Sequence, residues 1–319
     1  MTGVLNKINT SKFSKVTRIR IRPKKFIASL FLYLTLAGLA FVFAFPFIYM
    51  IITSLMSNTD LVNAAVNWVP TGFMWQNYVI AYDLLDYWTF FRNSVIVTVI
   101  PTIGHVFIAA LIGYGFARFD FPGKKILFGL VILSIVVPVQ TIVVPLFLTY
   151  ARWGWIDSYL PLIVPAFFGF GVQGGMFIFI YRQFFVGLPK DLENAAKIDG
   201  CGFLRTYWFI VFPLAKAAIL VVLVLSIVWR WNEFYQASIF AGVSRLAVLP
   251  SRIGTLASMT GDDAQELFDI LLLDIGEDVL NDATVMAGVA LIIAPILIFF
   301  MIAQRHFMKG IERTGITGE

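Results

Sequence analysis

Charge is scarce in this chain. Only 13% of its 319 residues are charged, 59% are hydrophobic, and the mean hydropathy is +0.85. A water-soluble domain of this size is nearer half apolar, with about a quarter of its residues charged. The shortage excludes a soluble globular protein. Alternating polarity of the barrel-strand kind is also missing, because the apolar residues come in solid runs. A single cysteine, Cys201, excludes an internal disulfide and reads as a small filler residue. The only two histidines, His105 and His306, lie in separate segments and cannot supply a histidine-rich metal or acid–base cluster. Gly123-Lys124-Lys125 lacks the first glycine and the hydroxyl of a phosphate-binding loop. The acidic run 262–282 lacks the alternating Asp/Asn spacing and central glycine of a calcium loop, so no metal site is expected. A short apolar core followed by a small-residue cleavage site is absent from the N-terminus, so the first apolar run is expected to be retained.

What is present is a set of apolar runs that reach the roughly 17–25 residues a helix needs to cross the hydrocarbon core. Six spans are expected, at about 26–53, 94–116, 126–149, 159–181, 214–235 and 284–303. The fold class is therefore an all-α polytopic membrane bundle of six helices. The domain organisation is a basic arm over 1–25, a transmembrane domain over 26–304 and a polar tail over 305–319. Lys and Arg sort between the two sides of this arrangement. The arm, the 118–125 link, the polar segment taken from Arg182 to Lys216 and the tail hold 19 of the 24 basic residues. Those segments are read as cytoplasmic, with both termini inside. Acidic residues crowd the outer loop 238–283, whose Leu267–Leu273 stretch reads as a surface helix. Membrane orientation and anionic lipid account for the net charge of +5 without a nucleic-acid partner.

Pro101, Pro138, Pro145, Pro161, Pro165 and Pro295 lie in or beside the spans, where each internal proline removes a backbone hydrogen bond and bends its helix. His105 fits a bond to a neighbouring helix better than a place on a solute or proton path. Arg230 and Glu233, three residues apart, read as an interfacial ion pair. Gln140, Gln173, Trp229, Asn232 and Tyr235 are candidates for a substrate path, since aromatic faces and amides suit a polar solute. Trp229, Trp231 and Tyr235 fit an ordinary interfacial aromatic belt better than a substrate contact.

The most informative stretch is Asp191-Leu192-Glu193-Asn194-Ala195-Ala196-Lys197-Ile198-Asp199-Gly200, closed by Ile210-Val211-Phe212-Pro213. Leu188-Pro189-Lys190-Asp191 is a helix start, and Asp191 and Glu193 suit the positive end of the helix dipole. Leu192, Ala195, Ala196 and Asp199 recur at helical spacing on one side, and the two alanines leave that side shallow. Gly200 and Gly202 allow a sharp turn. Residues 203–210 are amphipathic and aromatic, as at a lipid interface. These features fit either a docking helix or an interfacial connector.

The segment resembles the cytoplasmic "EAA" loop of bacterial ATP-binding-cassette importer permeases. Asn194-Ala195-Ala196, three residues, Gly200, nine residues, Ile210, one residue and Phe212-Pro213 match its spacing throughout. Asn194 replaces the motif glutamate and Phe212 replaces a leucine, while Glu193 retains a negative charge one place earlier. Asn93-Ser94, the run Tyr114-Gly115-Phe116-Ala117-Arg118-Phe119-Asp120-Phe121-Pro122-Gly123, Val137-Pro138, Trp231-Asn232-Glu233-Phe234 and the tail 304–310 are similar to maltose-permease G-type subunits. The resemblance implies a type I importer permease for di- or oligosaccharides or related solutes in the bacterial inner membrane. It implies a second homologous permease subunit, two ATPase subunits that hold ATP and magnesium, and an extracytoplasmic solute-binding protein. This chain then binds no cofactor and catalyses nothing. The coupling residues carried over are Leu192, Glu193, Asn194, Ala195, Ala196, Asp199, Gly200 and Pro213. The alternative is a secondary transporter driven by an ion gradient, which calls for acids within the spans. The central spans have essentially none.

Overall fold

The computed structural model describes residues 23–63, 68–171, 173–241, 245–258 and 281–315, and the regular structure among them is entirely helical. The chain divides into two compact units at Tyr49/Met50. The first contains most of α1 (Pro23–Ser54), whose side chains from Ile27 onward are mostly exposed and apolar. Its apolar part, Ile27–Ser54, has 28 residues. At 1.5 Å per residue it is about 42 Å long, more than the ~30 Å hydrocarbon core.

In the second unit, Asn77 closes the end of α1 by donating from Nδ2 to the carbonyls of Ser54 (3.0 Å) and Met56 (2.9 Å). The short helix α2 (Asn58–Val62) starts at Ser57, whose hydroxyl accepts from the Asp60 amide. Helix α3 (Gln76–Leu84) leads to α4 (Tyr87–Gly104), a π-helical turn over His105–Ala109, and α5 (Ala110–Arg118). These last three run on as one 32-residue rod, Tyr87–Arg118.

The span expected over 126–149 is broken instead. Helices α6 (Lys124–Val136) and α7 (Val139–Arg152) meet at 105°. Pro138 has no N–H to continue the ladder and forces Val137 into the extended region, at φ −69° and ψ 117°. The span expected over 159–181 is broken as well. It comprises α8 (Leu160–Ile163), a 3₁₀ turn (Val164–Phe168) and α9 (Gly174–Gly187). Pro161 and Pro165 shorten its first part, and Gly169 and Gly171 turn it with positive φ.

After α10 (Asp191–Ile198), α11 (Phe203–Thr206), a π turn (Tyr207–Val211) and α12 (Phe212–Leu214) run to a 75° bend at Ala215, where α13 (Lys216–Trp231) begins. Helices α14 (Tyr235–Phe240), α15 (Arg252–Ser258) and α16 (Asp282–Gly315) complete the described chain. The Leu267–Leu273 helix and most of the acidic loop lie outside the described residues. Among those described, three helices cross a bilayer length unbroken, and two more crossings follow if each bent pair counts once.

One apolar cluster joins α5, α9 and α13 through Tyr114, Phe177, Tyr181, Phe185, Tyr207 and Val222. Gly113 lets α5 and α9 approach. A side chain there would set its Cβ 3.0 Å from the Ile178 carbonyl oxygen. Toward the other end of the rod, Asn93 Nδ2 donates to the carbonyls of Arg245 (2.7 Å) and Ala247 (2.9 Å). The Ser94 hydroxyl accepts from the Leu249 amide at 2.7 Å. The Asn93-Ser94 pair thus pins the extended chain 245–249 to α4, supplying partners for backbone groups that would otherwise be buried without them.

Candidate functional site

The motif segment folds as its residues dictate. Helix α10 begins at Asp191, with Glu193 also in the first turn. It ends at Gly200, whose φ of +77° is favourable for glycine alone among common residues. The Cys201 amide donates to the Ala196 carbonyl (2.9 Å) and the Gly200 amide to that of Lys197 (3.1 Å). This is a Schellman closure, which satisfies the last carbonyls of the helix. Gly202 takes ordinary extended angles, φ −71° and ψ 164°, so Gly200 alone makes the left-handed turn.

The expected single face of Leu192, Ala195, Ala196 and Asp199 is split. Ala196 is buried with Glu193, whereas Leu192, Ala195 and Asp199 are exposed. Four residues from Leu192 to Ala196 bring that alanine round toward Glu193, three back along the helix, and away from Ala195. Asn194, Lys197 and Gly200 are exposed, and Ile198 is 86% exposed. Pro213 is exposed just before the bend into α13.

Glu193 faces inward for an electrostatic reason. Arg118 Nε donates to its Oε1 at 2.6 Å, and the Tyr114 hydroxyl donates to its Oε2 at 2.8 Å. Arg118 also donates from Nη2 to the Leu188 carbonyl at 2.8 Å, just before α10. The Arg118 and Glu193 side chains keep only 6% and 11% of their accessible surface. Tyr114 is held in turn by the stacked ring of Phe203, 5.6 Å away, and by Tyr207 and Phe185. The last turn of α5 is therefore fastened to the first turn of α10 by a charge-assisted pair that Tyr114 and the Leu188 carbonyl extend. Tyr114, Arg118 and Glu193 all stand in the sequence motifs. Their meeting across 75 residues was not foreseen, because no local spacing encodes it.

The substrate-path candidates do not converge. Gln140 is exposed in the first turn of α7, and Gln173 is exposed with φ +58° before α9. Trp229 is half-buried, with its ring centroid 5.8 Å from that of Phe177. Asn232 donates back to the Val228 carbonyl at 2.8 Å, and Tyr235 packs on a separate apolar cluster. Trp231 is buried and donates from Nε1 to the Ile292 carbonyl at 3.2 Å. His105 does bond neighbouring segments. Its Nε2 lies 3.0 Å from the Phe170 carbonyl oxygen, and its Nδ1 lies 3.4 Å from the Ser226 hydroxyl.

The expected Arg230–Glu233 ion pair is absent from the described contacts. Arg230 turns inward and donates from Nη1 to the Leu162 carbonyl at 3.1 Å. Glu233 instead accepts from the Gln236 amide at 3.0 Å. The helix ends between them, at Trp231, so the three-residue spacing no longer places the two side chains over one turn.

These features define a polytopic helical membrane protein that presents a short, fastened helix beyond its spans. The family described as the binding-protein-dependent transport system inner membrane component matches residues 106–313. The chain belongs to that family and is an inner-membrane permease component, a transport subunit rather than an enzyme. It is 28% identical over 295 residues to the arabinooligosaccharides transport system permease protein of Halalkalibacterium halodurans, covering 92% of this chain and 98% of that one. It is 29% identical over 317 residues to the osmoprotective compounds uptake permease protein of Synechocystis sp., covering 98% of each. A chain in the crystal structure of a bacterial ABC transporter involved in the import of the acidic polysaccharide alginate shares the fold. The TM-score is 0.72 at 19% identity, over 90% of this chain and 98% of that one.

Proposed function

We propose that this chain is one permease subunit of an ATP-driven importer of di- or oligosaccharides or related polyols, and that α10 is its coupling helix. The observation that carries the reading is the two-sided construction of α10. Glu193 and Ala196 fasten it inward, while Leu192, Asn194, Ala195, Ile198 and Asp199 face away from the bundle. Isolated exposed apolar residues are common, but a rigid helix offering Leu192 and Ile198 beside small Ala195 has the shape of a plug for a cleft. The partner is a cytoplasmic ATPase, and two such ATPases hold ATP and magnesium. A second homologous permease completes the membrane part, and an extracytoplasmic binding protein delivers the solute. Nucleotide-driven closure of the ATPases moves α10, and the Arg118–Glu193 pair passes that movement into the rod formed by α4, the π turn and α5. This is a two-state element biased at a distance by a ligand. The sorting of basic residues supports cytoplasmic termini and α10 on the cytoplasmic side. Six crossings follow if each bent pair and the broken α8–α9 segment count as one each. The names of the relatives support the sugar class.

The test is disulfide cross-linking in membrane vesicles. The native thiol is first removed by Cys201→Ser, and Ile198→Cys is paired with cysteines along the cleft of the ATPase. A nucleotide-dependent cross-link is expected. Failure to capture the ATPase from any position between 192 and 199 removes the coupling role.

A further inference from the structure

The rod Tyr87–Arg118 is held at its two ends by different parts of the molecule. At one end Arg118 is bound to α10, and Gly113 lets α5 lie against α9. At the other, Asn93 and Ser94 hold the chain at 245–249. Gly104 lies against the 3₁₀ turn, where a Cβ on it would stand 3.1 Å from the Ala166 carbonyl oxygen. If α10 moves while the chain at 245–249 stays, the rod must bend between these attachments. Its backbone is weakest in the middle. Pro101 offers no amide to the Val97 carbonyl, and the π turn His105–Ala109 follows one helical turn later. Sharp bends in long helices fall at prolines and π turns.

Three contacts converge on this π turn. The first is made by His105, which is fully buried. Its Nε2 donates at 3.0 Å to the carbonyl of Phe170, in the break between the 3₁₀ turn and α9. A carbonyl only accepts, so Nε2 carries the ring proton and Nδ1 is left to accept. The Ser226 hydroxyl of α13 has one proton and two acceptors in reach, Thr102 Oγ1 at 2.9 Å and His105 Nδ1 at 3.4 Å. The Thr102 proton is already given to the Thr98 carbonyl. Ser226 can therefore exchange one partner for the other by turning its hydroxyl. The second contact is made by Tyr181 of α9, also fully buried, whose hydroxyl donates to the Val106 carbonyl at 3.1 Å. A carbonyl of the π turn is thus supported from outside the rod. The third is made by Phe107, whose ring stacks on Phe212 at 5.4 Å and lies 6.0 Å from Trp208. Trp208 stands in the second π turn, Tyr207–Val211, and Phe212 follows it, on the path from α10 to α13.

We propose that the π turn His105–Ala109 is a joint. About it α5 and α9, carrying α10, swing against α4, the 3₁₀ turn and the chain at 245–249. The break at 169–173 lies beside the π turn, so the rod and its neighbour bend at one level. The Tyr181 hydroxyl holds the joint in its resting conformation. Movement of α10 reaches the joint by two routes, through Arg118 and Glu193 into α5, and through the 203–214 segment onto Phe107. The joint deepens the permease reading and rests on it for the source of movement.

The test uses the whole importer in lipid nanodiscs, with its ATPase and binding protein, and pulsed electron paramagnetic resonance in the Cys201→Ser background. Val186, Trp153 and Trp88 are 51%, 59% and 64% exposed and are replaced by spin-labelled cysteines. Val186 lies in the last turn of α9. Trp153 contacts Tyr150, which shares an apolar cluster with Val97 of α4. A turn of about 20° at the joint carries Val186, some 18 Å along α9 from Gly174, through about 6 Å. The Val186–Trp153 distance is expected to change between the nucleotide-free importer and the importer trapped with ATP and vanadate, while the Trp88–Trp153 distance stays fixed. A fixed Val186–Trp153 distance in an importer that hydrolyses ATP overturns the joint, as does an equal change in both distances. Tyr181→Phe removes a bond specific to the resting conformation. It is expected to raise hydrolysis without the binding protein, relative to hydrolysis with it, roughly two- to tenfold. A merely structural loss lowers both rates together, so an unchanged ratio overturns the holding role of Tyr181. The label distances decide the joint even if Tyr181→Phe fails to assemble. Failure of wild type to capture any ATPase overturns the permease reading instead.

Discussion

Arg118 Nε lies 2.6 Å from Glu193 Oε1 and joins the end of a membrane-spanning rod to the start of the exposed helix α10. With Tyr114 and the Leu188 carbonyl it forms a junction through which movement of α10 reaches α5. Removing one partner strands the other's charge in a mostly buried place, at a cost of about 3–5 kcal/mol. Glu193→Ala and Arg118→Ala are each expected to lower the thermal unfolding midpoint of the detergent-purified permease and to reduce coupled uptake. The double variant Arg118→Ala/Glu193→Ala should unfold later than the sum of the two single losses predicts. Strictly additive losses in that double-mutant cycle would show that the two side chains do not act together.

Ile198 is 86% exposed and packs on nothing that would object to a charge. Ile198→Glu is expected to change the permease's own stability by no more than about 0.5 kcal/mol. The same change should abolish co-purification of the ATPase. Undiminished co-purification would mean that this end of α10 is not in the contact.

Gly200 combines a left-handed φ with an amide that donates to Lys197. Gly200→Val costs on the order of 1–2 kcal/mol of backbone strain. Gly200→Pro is incompatible with both the φ and the hydrogen bond. The proline variant should still insert in the membrane, as seen by protease protection, yet lose ATPase association. Normal uptake by it would count against α10 as the coupling element.

Asp60 lies outside the spans, between α1 and α3. The Thr71 hydroxyl donates to its carboxylate at 2.7 Å and chiefly holds its pKa below the ordinary 3.8, against the opposing effect of burial. The Thr71 and Ser57 amides lower it further. A depressed carboxyl pKa means that the unfolded chain binds more protons in this range. The stabilisation is therefore complete above about pH 3.8 and is lost as pH falls through the lower folded value. The protection of the amides in 57–63 and 68–74, referred to their intrinsic exchange at each pH, should fall on acidification through that window, and Asp60→Asn should remove the step. A step that persists in the asparagine variant would assign it to another group.

Asn93 donates to two carbonyls of the chain at 245–247, and both would be left without that partner in Asn93→Ala. A destabilisation of about 1–3 kcal/mol is expected. Asn93→Asp has no donor to offer these carbonyls and should be no better. Melting curves of the two variants in detergent decide the point, and wild-type midpoints in both would remove the pinning role.

Much of the helix pattern was legible because its causes are local. The length of an apolar run reports a crossing, a proline reports a missing donor, and Gly200 reports a left-handed turn. The start of α10 at Asp191 and its end at Gly200 follow from such signals. The depth of the breaks was not legible. Pro138 announced a bend, but nothing in the residues announced that it would reach 105°. The facing of Ala196 was misassigned because helical spacing defines several overlapping stripes, and only the buried Glu193 shows which one turns inward.

By itself, the sequence determined that this is a helical membrane protein and that residues 191–213 carry a transport-family motif. Lipid tolerates only closed backbone hydrogen bonding, and that constraint is written residue by residue. Only the tertiary structure decided that Glu193 belongs to Arg118 and Tyr114, and that Arg230 turns away from Glu233 toward Leu162 and His105. Those outcomes depend on which side chains meet across 68 to 125 residues of chain. Such meetings are set by the packing of whole helices, so no short window of sequence contains them.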